Sequence, residues 1–217
     1  MKKVILFVFV LSLGSSLNAQ DSTAFKNYLL ETLSLYDSVK TLDDYVEIVN
    51  RMERMTAAQP EEWLPHYYVG LTYIYMSFVS GLESDLRDDY VDNALAAIDK
   101  AESMQGETPE IVVLRGYAYM AKVSVSPAIR GITLSAKVSG YFEKALAMDP
   151  QNPRANLMAG RWKYGTAQFF GSSTSEACAL MARALSIYEQ EDATPKIKPA
   201  WGANQARAMA KRCEGKK

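Results

Sequence analysis

One pattern returns along this chain at a nearly constant interval, and it restricts the fold more than any other feature. The stretch "YFEKALAM" (141–148) superposes on "AIDKAESM" (97–104) and on "LMARALSI" (180–187), and "RMERMTAAQP" (51–60) carries the same apolar positions. A second landmark precedes the last three copies: Gly70 with Tyr73, Gly116 with Tyr119, and Gly160 with Tyr164. The two landmarks move together. Gly70 to Gly116 is 46 residues and Gly116 to Gly160 is 44, while Met52 to Ile98 is 46 and Ile98 to Phe142 is 44. The last interval, Phe142 to Met181, is 39, which places length variation inside the units. Such a recurrence marks a chain that stacks one supersecondary unit, each copy needing its neighbour to bury its apolar face.

The unit is helical. Tyr141, Phe142, Ala145, Leu146 and Met148 fall at spacings of three and four, so they share one side of a 3.6-residue helix. Pro150 ends it, and Asn152 with Pro153 offers a cap and a first position for the next. The same reasoning predicts helix pairs at 22–38 with 41–58, 61–79 with 85–105, 108–123 with 133–148, and 152–168 with 174–191. An unpaired ninth helix follows at 199–213. Thr41, Ser84 and Thr174 or Ser175 are the expected N-caps, and Asp43, Asp44, Glu61, Glu62, Asp88 and Asp89 sit in first turns where the helix dipole favours negative charge. The ninth helix is expected to cap the stack, with Trp201 and Met209 covering the last hairpin and Gln205, Arg207, Lys211 and Arg212 facing water.

These residues resemble the tetratricopeptide repeat, a unit of two antiparallel helices with a small residue in the first and an apolar-x-x-Ala pattern closed by proline in the second. Gly70, Gly116 and Gly160 match the first feature; Phe142, Ala145 and Pro150 match the others, as do Ile98 and Ala101 without the proline. The resemblance covers roughly residues 22 to 191 and implies an all-α, α-α superhelix of stacked antiparallel pairs with a C-terminal capping helix. The last three units are about 5 to 12 residues longer than the usual 34. The excess falls in "SFVSGLESDLRD", "VSVSPAIRGITLSAKVS" and "QFFGSSTSEA". The whole chain is similar to small exported repeat proteins of Bacteroidetes-type bacteria, which implies a fold and a location.

The chain's start agrees with export. Lys2 and Lys3, the apolar run 4–13 and then "GSSLNAQ" give the charged, apolar and small-residue order of a signal peptide, expected to be cleaved after Ala19. Ten apolar residues fall short of the roughly 20 that a membrane span needs. No cysteine lies near that point for a lipid anchor, so a periplasmic or secreted product, without stable membrane insertion, is expected. Residues 20–217 then form one domain. Losing Lys2 and Lys3 lowers the formal charge from −1 to −3 with both signs interspersed, which favours neither nucleic acid nor an anionic membrane.

If 174–191 and 199–213 form an antiparallel hairpin turning near residue 195, Cys178 and Cys213 lie level and can pair in an oxidising compartment; two reduced cysteines on different faces is the alternative. No metal site is expected from two cysteines and the lone His66. Matching positions on the first helices give a candidate binding strip of Tyr67, Leu71, Tyr117, Met120, Arg161 and Tyr164. Aromatic and arginine groups suit recognition surfaces. If the long inserts fold over the groove, the same residues are ordinary core. "GSSTSEA" is expected to be a hairpin turn and "SPAIRG" a loop, where Arg130 binds a carboxylate or pins the loop.

HExxH, GxSxG, a P-loop and CxxC are absent from the sequence, and one histidine limits acid-base arrangements. The expected function is therefore non-catalytic and needs no cofactor: an extracytoplasmic scaffold that grips a peptide or partner protein on its concave face. The alternative is a small-ligand receptor or transport accessory whose inserts close an apolar pocket.

Overall fold

The computed structural model describes residues 15–191, 194 and 196–215, and for residues 15–22 the backbone alone. The apolar run 4–13, on which the signal-peptide expectation rests, lies outside the described residues. The described chain is all-α: α1 (Ser15–Ser34), a short 3-10 turn (Leu35–Asp37), α2 (Leu42–Ala58), α3 (Trp63–Ser77), α4 (Ser84–Gln105), α5 (Pro109–Val125), α6 (Pro127–Met148), α7 (Pro153–Phe170), α8 (Ser175–Gln190) and α9 (Ala203–Glu214). No strand occurs among the described residues. Consecutive helices pack on one another, and α3, α5 and α7 also touch side by side, which is compatible with an α-α superhelix having these three as its inner layer.

The helix starts follow local chemistry. Thr41 accepts from the Asp44 amide while the Asp44 carboxylate accepts from the Thr41 amide at 2.8 Å, so two orphan donors are satisfied reciprocally. Thr108 and Asn152 cap α5 and α7, each followed by a proline whose missing N–H costs nothing there. One expected cap differs: Ser84 is the first residue of α4 rather than its cap. Thr174 is the N-cap of α8, as expected, though without a side-chain hydrogen bond.

The landmark residues meet each other across each pair. A Cβ added to Gly70 would lie 3.0 Å from Ile98, on Gly116 2.6 Å from Phe142, and on Gly160 2.6 Å from Met181. Ile98, Phe142 and Met181 are the aligned apolar positions of the second helices, and all three are buried. The recurrence in sequence is thus one contact made three times: a glycine that lets a helix approach, and the large side chain that fills the space.

In the α5–α6 unit the extra length becomes helix. α6 begins at Pro127, so "SPAIRG" is its first turn and only Ser126 separates it from α5. Pro127 occupies the opening position, where its fixed φ suits a helix. Arg130 forms a two-pronged pair with Asp88 of α4 at 2.5 and 2.6 Å and donates to the Lys122 carbonyl, pulling the lengthened α6 onto the previous unit. "GSSTSEA" is a turn, as Gly171 ends α7 in the left-handed region at φ 66°.

The C-terminal segment departs from the expected end cap. α9 packs on α8, and Cys178 is bonded to Cys213 with their Cα atoms 5.7 Å apart. Met209 packs on Tyr164, Ala177 and Met181 of the last hairpin, as expected, and Trp201 touches that hairpin through its carbonyl, but the Trp201 ring points elsewhere. It crosses the inner layer, stacks on Tyr117 of α5 at 5.9 Å and donates its indole N–H to Tyr67 of α3 at 2.8 Å. Tyr68 adds hydrogen bonds to the carbonyls of Ile197 and Lys198. A terminal element has become a side wall.

Candidate functional site

Between this wall and the first helix pair lies a cleft of about 1180 Å³. The end of α1, the 3-10 turn and the start of α2 form one side with Leu33, Tyr36, Val39 and Tyr45; residues 200–209, including Trp201, Gln205 and Met209, form the other. The floor is α3, through Tyr68, Leu71, Tyr75 and Phe78, continued by Tyr117 of α5 and Arg161 of α7. Tyr68, Leu71, Tyr75 and Phe78 follow one another at three and four residues, a single stripe down the helix.

The aromatic groups brace each other. Tyr75 is met edge-on by Tyr36 at 5.9 Å and lies 6.0 Å from Tyr45 and 6.3 Å from Tyr117; Phe78 lies 5.7 Å from Tyr117. Each such pair adds roughly 0.5–1.5 kcal/mol beyond the area it buries. Tyr36 shares a 2.5 Å hydrogen bond with Thr72, which itself donates to the Tyr68 carbonyl. Burial raises the ionisation of Tyr36, Tyr45, Tyr68 and Tyr75 above the ordinary phenol range, and neighbouring tyrosines add to it. The hydroxyls therefore stay neutral at ordinary pH.

Beneath the floor a polar relay fixes the wall. Trp201 donates to the Tyr67 hydroxyl, Tyr67 to Glu110 at 3.3 Å, and Glu110 also accepts from Arg154 at 2.7 Å and from Asn152 at 2.5 Å. Tyr188 of α8 holds the Trp201 carbonyl at 2.8 Å. A half-buried carboxylate with this many donors orients its partners.

The candidate strip is split by the fold. Leu71, Tyr117 and Arg161 line the cleft; Leu71 and Tyr117, 0 % and 2 % exposed, show only one edge to it. Tyr67 is buried beneath it in the relay, and Met120 packs half-buried against the core without reaching it. Tyr164 belongs to a separate cluster with Ala177 and Met181 beside the Cys178–Cys213 bond, under the Arg212 guanidinium at 5.8 Å. Sequence alone does not mark Tyr36, Tyr45, Tyr68, Tyr75 and Phe78 as site residues, and it assigns Trp201 to the last hairpin instead. α3 is buried on nearly every side, so no polar face shows which stripe looks outward. Trp201 lies 134 residues from Tyr67, beyond any local pattern.

These residues define a class, a helical protein with a recessed cleft whose aromatic and aliphatic lining is edged by polar and charged groups, a make-up compatible with a ligand site. Among solved structures the chain is similar to the HusA haemophore from Porphyromonas gingivalis, with 26% sequence identity and a TM-score of 0.75, the likeness covering 94% of this chain and 96% of that one. No family model matches the chain, and no curated protein matches it. Among the described residues no group of three or more His, Cys, Asp or Glu side chains is placed to hold a metal ion, and no helix is long and apolar enough to cross a membrane.

Proposed function

We propose that this protein is a non-catalytic extracytoplasmic binding protein whose cleft takes a flat, largely apolar small ligand of the haem class. The cleft carries this reading: its floor and both walls present tyrosine, phenylalanine and tryptophan, and its volume suits a ligand at the large end of the drug-sized range. The likeness to a haemophore over nearly the whole of both chains supports it. A small molecule is favoured over a peptide because the C-terminal segment closes one side of the concave face, a role that sequence alone assigned to the inserts.

The residues fit the macrocycle better than its metal. His66 lies outside the cleft lining, and burial, with Lys100 nearby, lowers its proton affinity. Tyr36, Tyr45, Tyr68 and Tyr75 are held by burial as neutral phenols, poor ligands until they lose the proton. Binding should therefore rest on stacking and apolar contact, and a metal-free porphyrin should bind nearly as well as haemin. Absorbance titration with both, alongside quenching of Trp201 fluorescence, tests this; dissociation constants of about 1 μM or tighter, within roughly tenfold of each other, are expected. Folded protein that binds neither porphyrin would overturn the reading.

A further inference from the structure

One cation is built into the floor of the cleft. Arg161 of α7 is half-buried, its guanidinium 5.5 Å from the centre of the Tyr117 ring. Its Nη1 donates to Gln205 Oε1 at 2.6 Å and to the Tyr117 hydroxyl at 3.3 Å, with the Met158 sulfur at 3.8 Å. Every one of these partners is neutral. Most other shielded arginines face carboxylates: Arg115 meets Asp99 and Glu102, Arg130 meets Asp88, and Arg154 meets Glu110, while Arg87, outside the cleft lining, is taken up by the Ser77 carbonyl and the Ser124 hydroxyl. Among the described residues Arg161 has no carboxylate partner, and its Nε and Nη2 have no acceptor. A guanidinium that is always charged and partly withdrawn from water gains most from an anion that brings the missing acceptors.

The charge of the lining agrees. Lys40, Arg161 and Lys196 stand around the cleft against one carboxylate, Asp37, in a chain whose formal net charge is −1. The cleft is a cationic recess in a slightly acidic protein, and a low-dielectric wall concentrates that field.

We infer that the cleft selects a ligand bearing a carboxylate, and that Arg161 is the residue that reads it. The apolar body lies against Phe78, Tyr75 and Trp201, while the acid takes two hydrogen bonds from Nε and Nη2. Gln205 and Tyr117 act as positioning residues, holding Nη1 so that the free edge of the fork faces the cleft. The flat body follows from the function proposed above; the acid follows from Arg161 independently.

Two pairs of probes separate the ideas: protoporphyrin against its dimethyl ester, and anilinonaphthalene sulfonate against the neutral phenylnaphthylamine. The wild type should prefer each anion by about 10- to 100-fold, as charge-assisted hydrogen bonds imply. In Arg161→Gln the preference should fall by about tenfold or more through weaker binding of the anion. Arg161→Lys should keep part of it. Lys40→Gln with Lys196→Gln should weaken the anions by only a few-fold, as exposed charges do.

If the porphyrins fail and the naphthalene pair shows the Arg161-dependent preference, the haem-class reading falls and the acid reading stands. The inference is overturned by an equal preference in wild type and Arg161→Gln, by a wild type indifferent to charge, or by complete loss of preference in the lysine double variant. It is also overturned if the folded wild type binds none of the four. Should Arg161→Gln fail to fold, the wild-type ratios and the lysine variant decide.

Discussion

Adding one methyl group at each landmark glycine should have effects that follow the distances rather than the residue type. In a helix interior Gly→Ala favours folding by about 0.8–1 kcal/mol when nothing opposes it. Gly140, exposed on α6, has nothing within 4 Å of its would-be Cβ, so Gly140→Ala should gain nearly that amount. At Gly70 the new carbon meets Ile98 at 3.0 Å and the Ala94 carbonyl oxygen at 3.3 Å. A small movement of a flexible side chain absorbs this, and the gain should be cancelled to within about 0.5 kcal/mol.

Gly116 and Gly160 leave no such room. The methyl group would lie 2.6 and 2.9 Å from two carbons of the buried Phe142 ring and 3.0 Å from the Tyr141 Cβ. At Gly160 it would lie 2.6 Å from Met181 and 3.0 Å from the Ala177 carbonyl oxygen, a backbone atom. Overpacking of this kind costs about 1–3 kcal/mol, so the net loss should reach about 2 kcal/mol at most. For a chain of this size that lowers the melting temperature by up to roughly 8 °C, whereas Gly140→Ala should raise it by about 2–4 °C. Urea unfolding followed by circular dichroism gives the series directly. If Gly116→Ala and Gly160→Ala prove as stable as Gly140→Ala, the helices do not meet at these glycines, and the repeated contact is not what builds the fold.

The Cys178–Cys213 bond closes a segment of 35 residues and ties α9, hence Trp201 and Gln205, to the body of the protein. Replacing both cysteines with serine should cost about 3–4 kcal/mol by loop entropy and weaken ligand binding as the wall loosens; free thiols in unreduced peptides, found by mass spectrometry, would remove the basis for both. Alkaline pH should expose the buried tyrosines. Burial raises Tyr36, Tyr67, Tyr68 and Tyr75, and Tyr73 is pushed up to about 12. The folded state thus keeps protons that the unfolded chain loses above a pH of about 10, so this stabilisation is complete below that pH and is lost as pH rises further. Ultraviolet titration should show these hydroxyls ionising together with unfolding; smooth ionisation of every tyrosine near pH 10 with the fold intact would contradict their burial.

The helical architecture was legible because its signals are local and repeated. Thr41, Asn152 and Pro153 mark helix starts by their own chemistry, and the glycine and large-residue positions carry the spacing of the stack. Pro127 misled because proline punctuates both loops and first turns, and what decides between them is the contact of Arg130 with Asp88, 42 residues away. The cleft was less legible for a related reason. Amphipathic patterning reveals a helix's orientation only when one face is wet, and α3 has almost none. Its wall depends on hydrogen bonds from Trp201 and Tyr68 across about 130 residues, which no periodicity encodes.

One rule links the repeat to the cleft. Successive helix residues point about 100° apart, so where a landmark glycine faces its own partner helix, the residue after it faces the concave side. Those residues are Leu71, Tyr117 and Arg161, and they are the members of the candidate strip that line the cleft. The stack therefore presents one position three times and fills it with different chemistry: an aliphatic group, then an aromatic ring, then a cation. A ligand lying along the inner layer meets the edge of Tyr117 and then the Arg161 cation, with Leu71 buried behind the surface, and its own polarity fixes which way round it binds. Repetition supplies the rigid spacing, while the discrimination lies where the copies differ, at these positions and at the unrepeated segments that wall the cleft at either side. Substitutions at Arg161 or in the walling segments should change which ligand is held without unfolding the stack, whereas changes at Gly116, Gly160 or the buried Leu71 should do the reverse.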